Sequence, residues 1–204
     1  MPADQAAGLR RRNARQPLRC IYCFCDTADS SVRLAQALHQ TGRHPLLVDT
    51  LGRMFAASSP RSLFDWKHQL EHKQLHTLPQ HYGEGWHAPG VRADEPALSG
   101  VAAGYDYVLF DLDWGNADLA LLPGAAHTVM LEVSRADASV QHAYAVLKTM
   151  ACSGVSFCGC LLGDGLACDQ VRSAVRHFLG QPSADAIFSV ANEHDAFAAL
   201  AVRM

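Results

Sequence analysis

Short, nearly continuous apolar runs alternate along this chain with longer segments whose apolar residues recur every three to four positions. The run from Leu18 to Cys25 has the character of a strand buried on both faces. Ser30 opens a helix with an inner face of Val32, Leu34, Ala35 and Leu38, closed by Gly42. Pro45 to Val48 reads as the second strand, ending at Asp49. After a loop containing Pro60, a helix runs from Ser62 to about Lys73, and Leu75 to Leu78 makes a short strand. Tyr105 to Phe110, ending at Asp111, and His127 to Val133 are the next strands. Asp137 caps a helix that buries Val140, Ala143, Tyr144 and Leu147. Val155 to Leu162 is a further strand, Leu166 to Leu179 a helix ending at Gly180, Ile187 to Val190 a strand and Asn192 to Val202 a helix. Strand and helix in alternation predict an α/β domain, with right-handed crossovers giving a doubly wound, mostly parallel sheet. Residues 79 to 104, rich in Pro, Gly and His, carry the least regular pattern. The expected organisation is an arm over residues 1–17 and one α/β domain over 18–204.

The 204 residues with 49% hydrophobic content suit one domain with a sizeable core. A net charge of -3 argues against bulk nucleic-acid binding, so no direct nucleic-acid contact is expected of the domain. No apolar run reaches the roughly 18 residues of a spanning helix. No signal peptide is read either, because Pro17 interrupts the stretch after the arginines before an apolar region forms. Cys20, Cys23, Cys25, Cys158 and Cys160 fall inside apolar runs and read as reduced, buried thiols, which predicts a cytosolic protein.

The first residues are of another kind. Asp4 is placed to cap a short helix, Ala6, Ala7 and Leu9 favour it, and Arg10, Arg11, Arg12 and Arg15 suit its negative end before Pro17. Leu9 and small alanines offer too little apolar surface to anchor a helix this short, which predicts an arm that orders on a partner. Composition alone equally fits a basic tail or a nucleic-acid-binding arm.

The pattern Asp4-Gln5-Ala6-Ala7-Gly8-Leu9-Arg10 resembles the N-terminal activator helix of the FlhG family, the MinD/ParA-type proteins that control flagellar number and placement. In that family the helix docks on the signal-recognition-type GTPase FlhF and stimulates hydrolysis, with its glutamine beside the nucleotide. The resemblance implies that role for Gln5, with Asp4, Ala6, Gly8, Leu9, Arg10 and Arg11 completing the contact. Three further stretches resemble the family. Leu34 to Asp49 is similar to its first helix, closing glycine and second strand. Tyr105 to Asp111, with Gly115 four residues on, is similar to the strand with a Walker-B-like aspartate and a γ-phosphate-sensing glycine. Ala143 to Lys148 is similar to a later helix.

One departure decides the expected mechanism. Family members carry a Lys-Gly-Gly-x-Gly-Lys-Thr phosphate loop after the first strand, whereas this chain has Cys25-Asp26-Thr27-Ala28-Asp29-Ser30. Glycines let backbone N–H groups wrap phosphate oxygens and lysines neutralise them. Two carboxylates in their place, at about 6 Å and an effective dielectric of about 20, cost on the order of 3 kcal/mol per phosphate charge. Asp26, Asp29, Asp49, Asp111 and Gly115 therefore read as a vestigial nucleotide site, with no ATP, other cofactor or metal expected. The family's second acid after Asp49 is replaced at Leu51, and its base-reading asparagine by Leu161 and Leu162.

The resemblance implies a pseudo-ATPase, not itself an enzyme, that activates a partner GTPase in the cytoplasm and is recruited by partners to the cell pole or inner membrane surface. Flagellar switch proteins or a flagellar transcription activator are further implied partners, and the chain is expected as a monomer or a nucleotide-independent dimer. An active MinD/ParA-type ATPase and a transcriptional co-regulator are the competing readings. His68, His72 and His76 share helical spacing and favour a solvated or partner-facing face over a metal site. Cys23 with Cys25, and Cys158 with Cys160, read as small hydrophobes. Trp66, Trp86 and Trp114 fall in or beside loops, and Trp114, next to Gly115, is the candidate contact residue.

Overall fold

The computed structural model describes residues 17–54, 75–78, 100–102, 104–115, 124–191 and 195–204. The expected helical arm through residue 16, the expected helix from Ser62, Trp66, Trp86, His68 and His72 lie outside the described residues. Seven strands form one sheet: β1 Arg19–Phe24, β2 Pro45–Asp49, β3 His76–Leu78, β4 Tyr107–Leu112, β5 Ala126–Val133, β6 Phe157–Gly163 and β7 Ile187–Ala191. Their order across the sheet is β3-β2-β4-β1-β5-β6-β7, and every described pairing is parallel. The helices are α1 Ala28–Gln40, α2 Asp137–Cys152, α3 Gly165–Leu179, α4 Gln181–Asp185 and α5 Ala196–Arg203. This is an all-parallel α/β sheet flanked by helices, compatible with double winding.

β1 runs at the centre, between β4 and β5, with Cys20 opposite Val108 on one side and His127 on the other. Because helices cover both faces of the sheet, its strands read as unbroken apolar runs. Alternate residues serve opposite faces. Cys20, Tyr22 and Phe24 join Val108, Phe110 and Leu112 in the core facing α2 and α3, where Ala143, Leu147, Val171 and Val175 pack. Ile21 and Cys23 join Leu47, Leu109 and Met130 in the second core, closed by Leu34, Leu38, Phe197 and Leu200 from α1 and α5.

Helix boundaries depart from the sequence pattern where capping chemistry decides. α1 starts at Ala28, not Ser30, with Thr27 extended at the cap, and Ser30 and Ser31 turn inward. Its end is a Schellman arrangement, with Arg43 N–H donating to the Leu38 carbonyl (3.1 Å) and Gly42 N–H to that of His39 (2.9 Å). Gly42, at φ 79°, supplies the left-handed residue this end requires. Ala136, not Asp137, occupies the cap of α2 and makes no side-chain cap bond; Asp137 is the first helical residue, near the positive pole. Asp164 caps α3, accepting the Ala167 N–H at 3.1 Å. A short helix, α4, follows Gly180 where no helix is expected. α5 begins at Ala196 rather than Asn192, with residues 192–194 outside the described set.

Gly163 ends β6 at φ 142°, and a Cβ there would lie 2.0 Å from the Val133 carbonyl oxygen. Gly163→Ala is expected to destabilise the fold by roughly 3 kcal/mol or more, through backbone strain and displacement of β5. Chemical denaturation checks this, with Gly165→Ala, where a Cβ meets open space, as the mild comparison.

Candidate functional site

The chain leaves β1 towards α1 on one face of the sheet and leaves the adjacent β5 towards α2 on the other. Such a divergence opens a crevice at the carboxyl ends of the strands. Asp49 and Asp111 end β2 and β4 there, opposite each other in register, and both are fully buried. Two buried carboxylates on neighbouring strands require donors and a counter-charge.

Arg53 supplies them. Gly52, at φ 67°, turns the chain back after β2, and the Arg53 side chain enters the crevice. Its Nε donates to Asp111 Oδ2 and its Nη2 to Asp111 Oδ1, both at 2.7 Å, in the forked geometry that suits guanidinium and carboxylate. Nη2 also donates to the Cys25 carbonyl (3.0 Å) and Nη1 to the Asp26 carbonyl (3.2 Å). These bonds with Asp111 raise the Arg53 pKa further, against the opposing effect of burial. Ser31 Oγ donates to Asp111 Oδ1 at 2.8 Å, and the Thr50 hydroxyl donates to the Asp111 carbonyl.

Asp49 acts on the turn itself, accepting the Arg53 N–H (3.0 Å) and the Met54 N–H (3.1 Å) on its two carboxylate oxygens. Burial pushes its pKa up, and those two N–H groups pull it partly back. After β4, Trp114 donates from Nε1 to Asp26 Oδ1 at 3.1 Å, leans on Phe24 and stacks on His142 with centroids 6.0 Å apart. Ser30 donates to Glu132 Oε2 at 3.1 Å, which ties the start of α1 to β5.

The β1–α1 loop thus turns two carbonyls towards the crevice. Its polarity suits a cation. Of the expected site residues, Asp26, Asp49 and Asp111 gather around Arg53, Asp26 through its carbonyl. Asp29 stands exposed in the first turn of α1. Gly115 lies in an exposed turn, where a Cβ would meet nothing closer than Asp113 Oδ2 at 3.8 Å, so no steric demand for glycine exists there. Arg53, Ser31, Thr50 and His142 are residues of this candidate site that the sequence pattern misses. The available signal was two carboxylates at the ends of apolar strands, with Arg53 the first cation after Asp49.

His76 sits at the start of β3 with Nδ1 2.7 Å from the Tyr105 hydroxyl. It borders a cleft of about 380 Å³ at the amino ends of β2 and β4, with His39, His44 and Tyr105, away from the crevice. Among the described residues no group of three or more His, Cys, Asp or Glu is arranged to hold a metal. The thiols are all free. Cys20, Cys23, Cys25 and Cys160 are buried as expected, but Cys158 is exposed, because it lies at the amino end of β6 before the buried part of that strand begins. Burial pushes the Cys20 thiol up to about 12 and that of Cys168 to about 11, and those of Cys23, Cys25 and Cys160 well above the ordinary value. Compared with protein-family models and with curated proteins, the chain matches none.

Two outcomes follow for this region. Asp111→Ala leaves the Arg53 guanidinium and the Ser31 hydroxyl without their acceptor, and should cost roughly 2–4 kcal/mol, because a quarter of the Arg53 side chain is still reached by water. Asp113→Ala, at the exposed turn, should stay within about 0.5 kcal/mol, with both variants measured by urea titration. Iodoacetamide at pH 8 should label Cys152 and Cys158 in the native protein and reach the five buried thiols only after unfolding, as read by peptide mass spectrometry.

Proposed function

We propose that this chain is an FlhG-like regulator of flagellar assembly, whose α/β domain acts as a scaffold independent of ATP and whose N-terminal segment stimulates an FlhF-type GTPase. The observation that carries the scaffold half of this reading is the filled crevice. Arg53 occupies the space between Asp111 and the loop after β1, and that loop offers the Cys25 and Asp26 carbonyls to it. A triphosphate entering there meets a satisfied ion pair and the acidic side chains of Asp26 and Asp29 in place of cations. The seven-stranded parallel sheet, with β1 flanked by β4, supports a MinD-like assignment, since the Asp111 strand lies beside the strand that precedes the loop.

The activating half rests on the sequence Asp4-Gln5-Ala6-Ala7-Gly8-Leu9-Arg10. GTP hydrolysis requires a positioned water and compensation of developing charge, both of which an inserted segment supplies from outside. Gln5 orients the water or the switch that holds it, and Arg10 and Arg11 hold the segment on its partner. This reading assigns the protein to the cytoplasm, with FlhF as its partner.

A peptide of the first 17 residues should accelerate GTP hydrolysis by FlhF, and Gln5→Ala should abolish that effect in peptide and full-length protein alike. Arg10→Ala with Arg11→Ala should weaken binding in a salt-dependent way. Titration calorimetry with Mg-ATP should give a Kd weaker than about 1 mM, equivalent to about 4 kcal/mol. Equal stimulation by Gln5→Ala would move the activity to the folded surface, and a micromolar ATP isotherm would overturn the scaffold half.

A further inference from the structure

The contacts around Arg53 describe more than a blocked nucleotide site. Four acceptor positions converge on one planar cation: Asp111 Oδ1 and Oδ2 at 2.7 Å, the Cys25 carbonyl at 3.0 Å and the Asp26 carbonyl at 3.2 Å. They come from two separate segments, the end of β4 and the β1–α1 loop, and Ser31 fixes the rotamer of the carboxylate from a third position. Every N–H bearing nitrogen of the guanidinium, Nε, Nη1 and Nη2, finds an acceptor. An ammonium is a point charge and cannot bridge a carboxylate fork and two carbonyls at once.

We propose that the crevice at the carboxyl ends of β1, β2 and β4 is a guanidinium-binding socket, filled in cis by Arg53, so that the chain carries its own ligand. The socket's ligand class is the guanidinium group, presented by an arginine side chain or by a small guanidinium compound. Occupancy pins the turn at residues 50–54 to the β1–α1 loop, because Asp49 holds the backbone of Arg53 while Asp111 holds its side chain. The socket shares the Arg53 contacts with the scaffold half of the flagellar reading and does not depend on its GTPase half. Its failure would leave the GTPase assay untouched, and the reverse.

The side chain is a quarter exposed, so removing it leaves a space open to small solutes. The test is thermal unfolding of the full chain as wild type, Arg53→Ala and Arg53→Ala with Asp111→Asn. Each is measured in guanidinium chloride and in ammonium chloride at matched ionic strength. The concentration is kept to about 0.1 M, where the denaturant slope costs little. Arg53→Ala should melt below wild type. With a Kd of about 10 mM, guanidinium should raise its Tm by about 3–6 °C over ammonium. Wild type, whose socket is full, and the double variant, which lacks the anionic fork, should show no such rise. Equal action of the two cations on Arg53→Ala, or an equal rise in the double variant, would overturn the proposal. Should Arg53→Ala not fold, refolding yield of Arg53→Ala and Arg53→Gln in the two salts decides the matter: recovery in guanidinium alone supports the socket, and no difference between the salts sinks it.

Discussion

The carboxylate of Asp111 is wholly buried at the end of a central strand, and the geometry around it follows from the need to satisfy that charge. An ionised carboxylate in an apolar core is tolerated only with a partner and a full set of donors. Arg53 provides the partner, Ser31 a further donor to its side chain, and Thr50 binds the carbonyl of the same residue. Meeting that need ties together three segments distant in sequence: the β1–α1 loop with the first turn of α1, the turn after β2 and the end of β4. The crevice is therefore held by one electrostatic knot, with the apolar cores on either face of the sheet beneath it.

The knot also fixes the sign of the crevice. In a phosphate-binding loop the backbone presents N–H groups to an anion. Here the corresponding segment presents carbonyls to a cation, and its side chains at Asp26 and Asp29 add negative charge at the rim. Because the backbone sets that polarity, lysines in place of Asp26 and Asp29 would still leave the carbonyls aimed inward. Trp114 reinforces the arrangement by binding Asp26 and packing on Phe24 and His142, which links the turn after β4 to the loop after β1 and to α2.

Much of this architecture is legible in the sequence, and the reason is burial on both faces. β1, β2, β4 and β5 appear as apolar runs because helices cover each side, and the alternation of strand with helix leaves little choice but a parallel sheet. What escaped was local chemistry. The helix reads as opening at Ser30 because Asp29 and Ser30 are polar, yet it starts at Ala28, and Ser30 and Ser31 are buried and bonded to carboxylates. α4 is one short turn after Gly180, with no periodicity to announce it. Arg53 leaves no pattern at all, since a single side chain reaching an acid 58 positions away has no local signature. The carboxylates it serves were visible; the cation was not.

The central position of β1 has a consequence for how the chain comes together. It precedes both of its neighbours in the chain, since β4 and β5 lie in residues 107–112 and 126–133. Until those residues emerge, Cys20, Ile21, Tyr22, Cys23 and Phe24 form a bare apolar strand with two open edges. Pairing of this kind closes long loops before it is rewarded, which slows folding and leaves the nascent chain exposed to aggregation. The loop-closure cost of this parallel sheet therefore falls on its central strand.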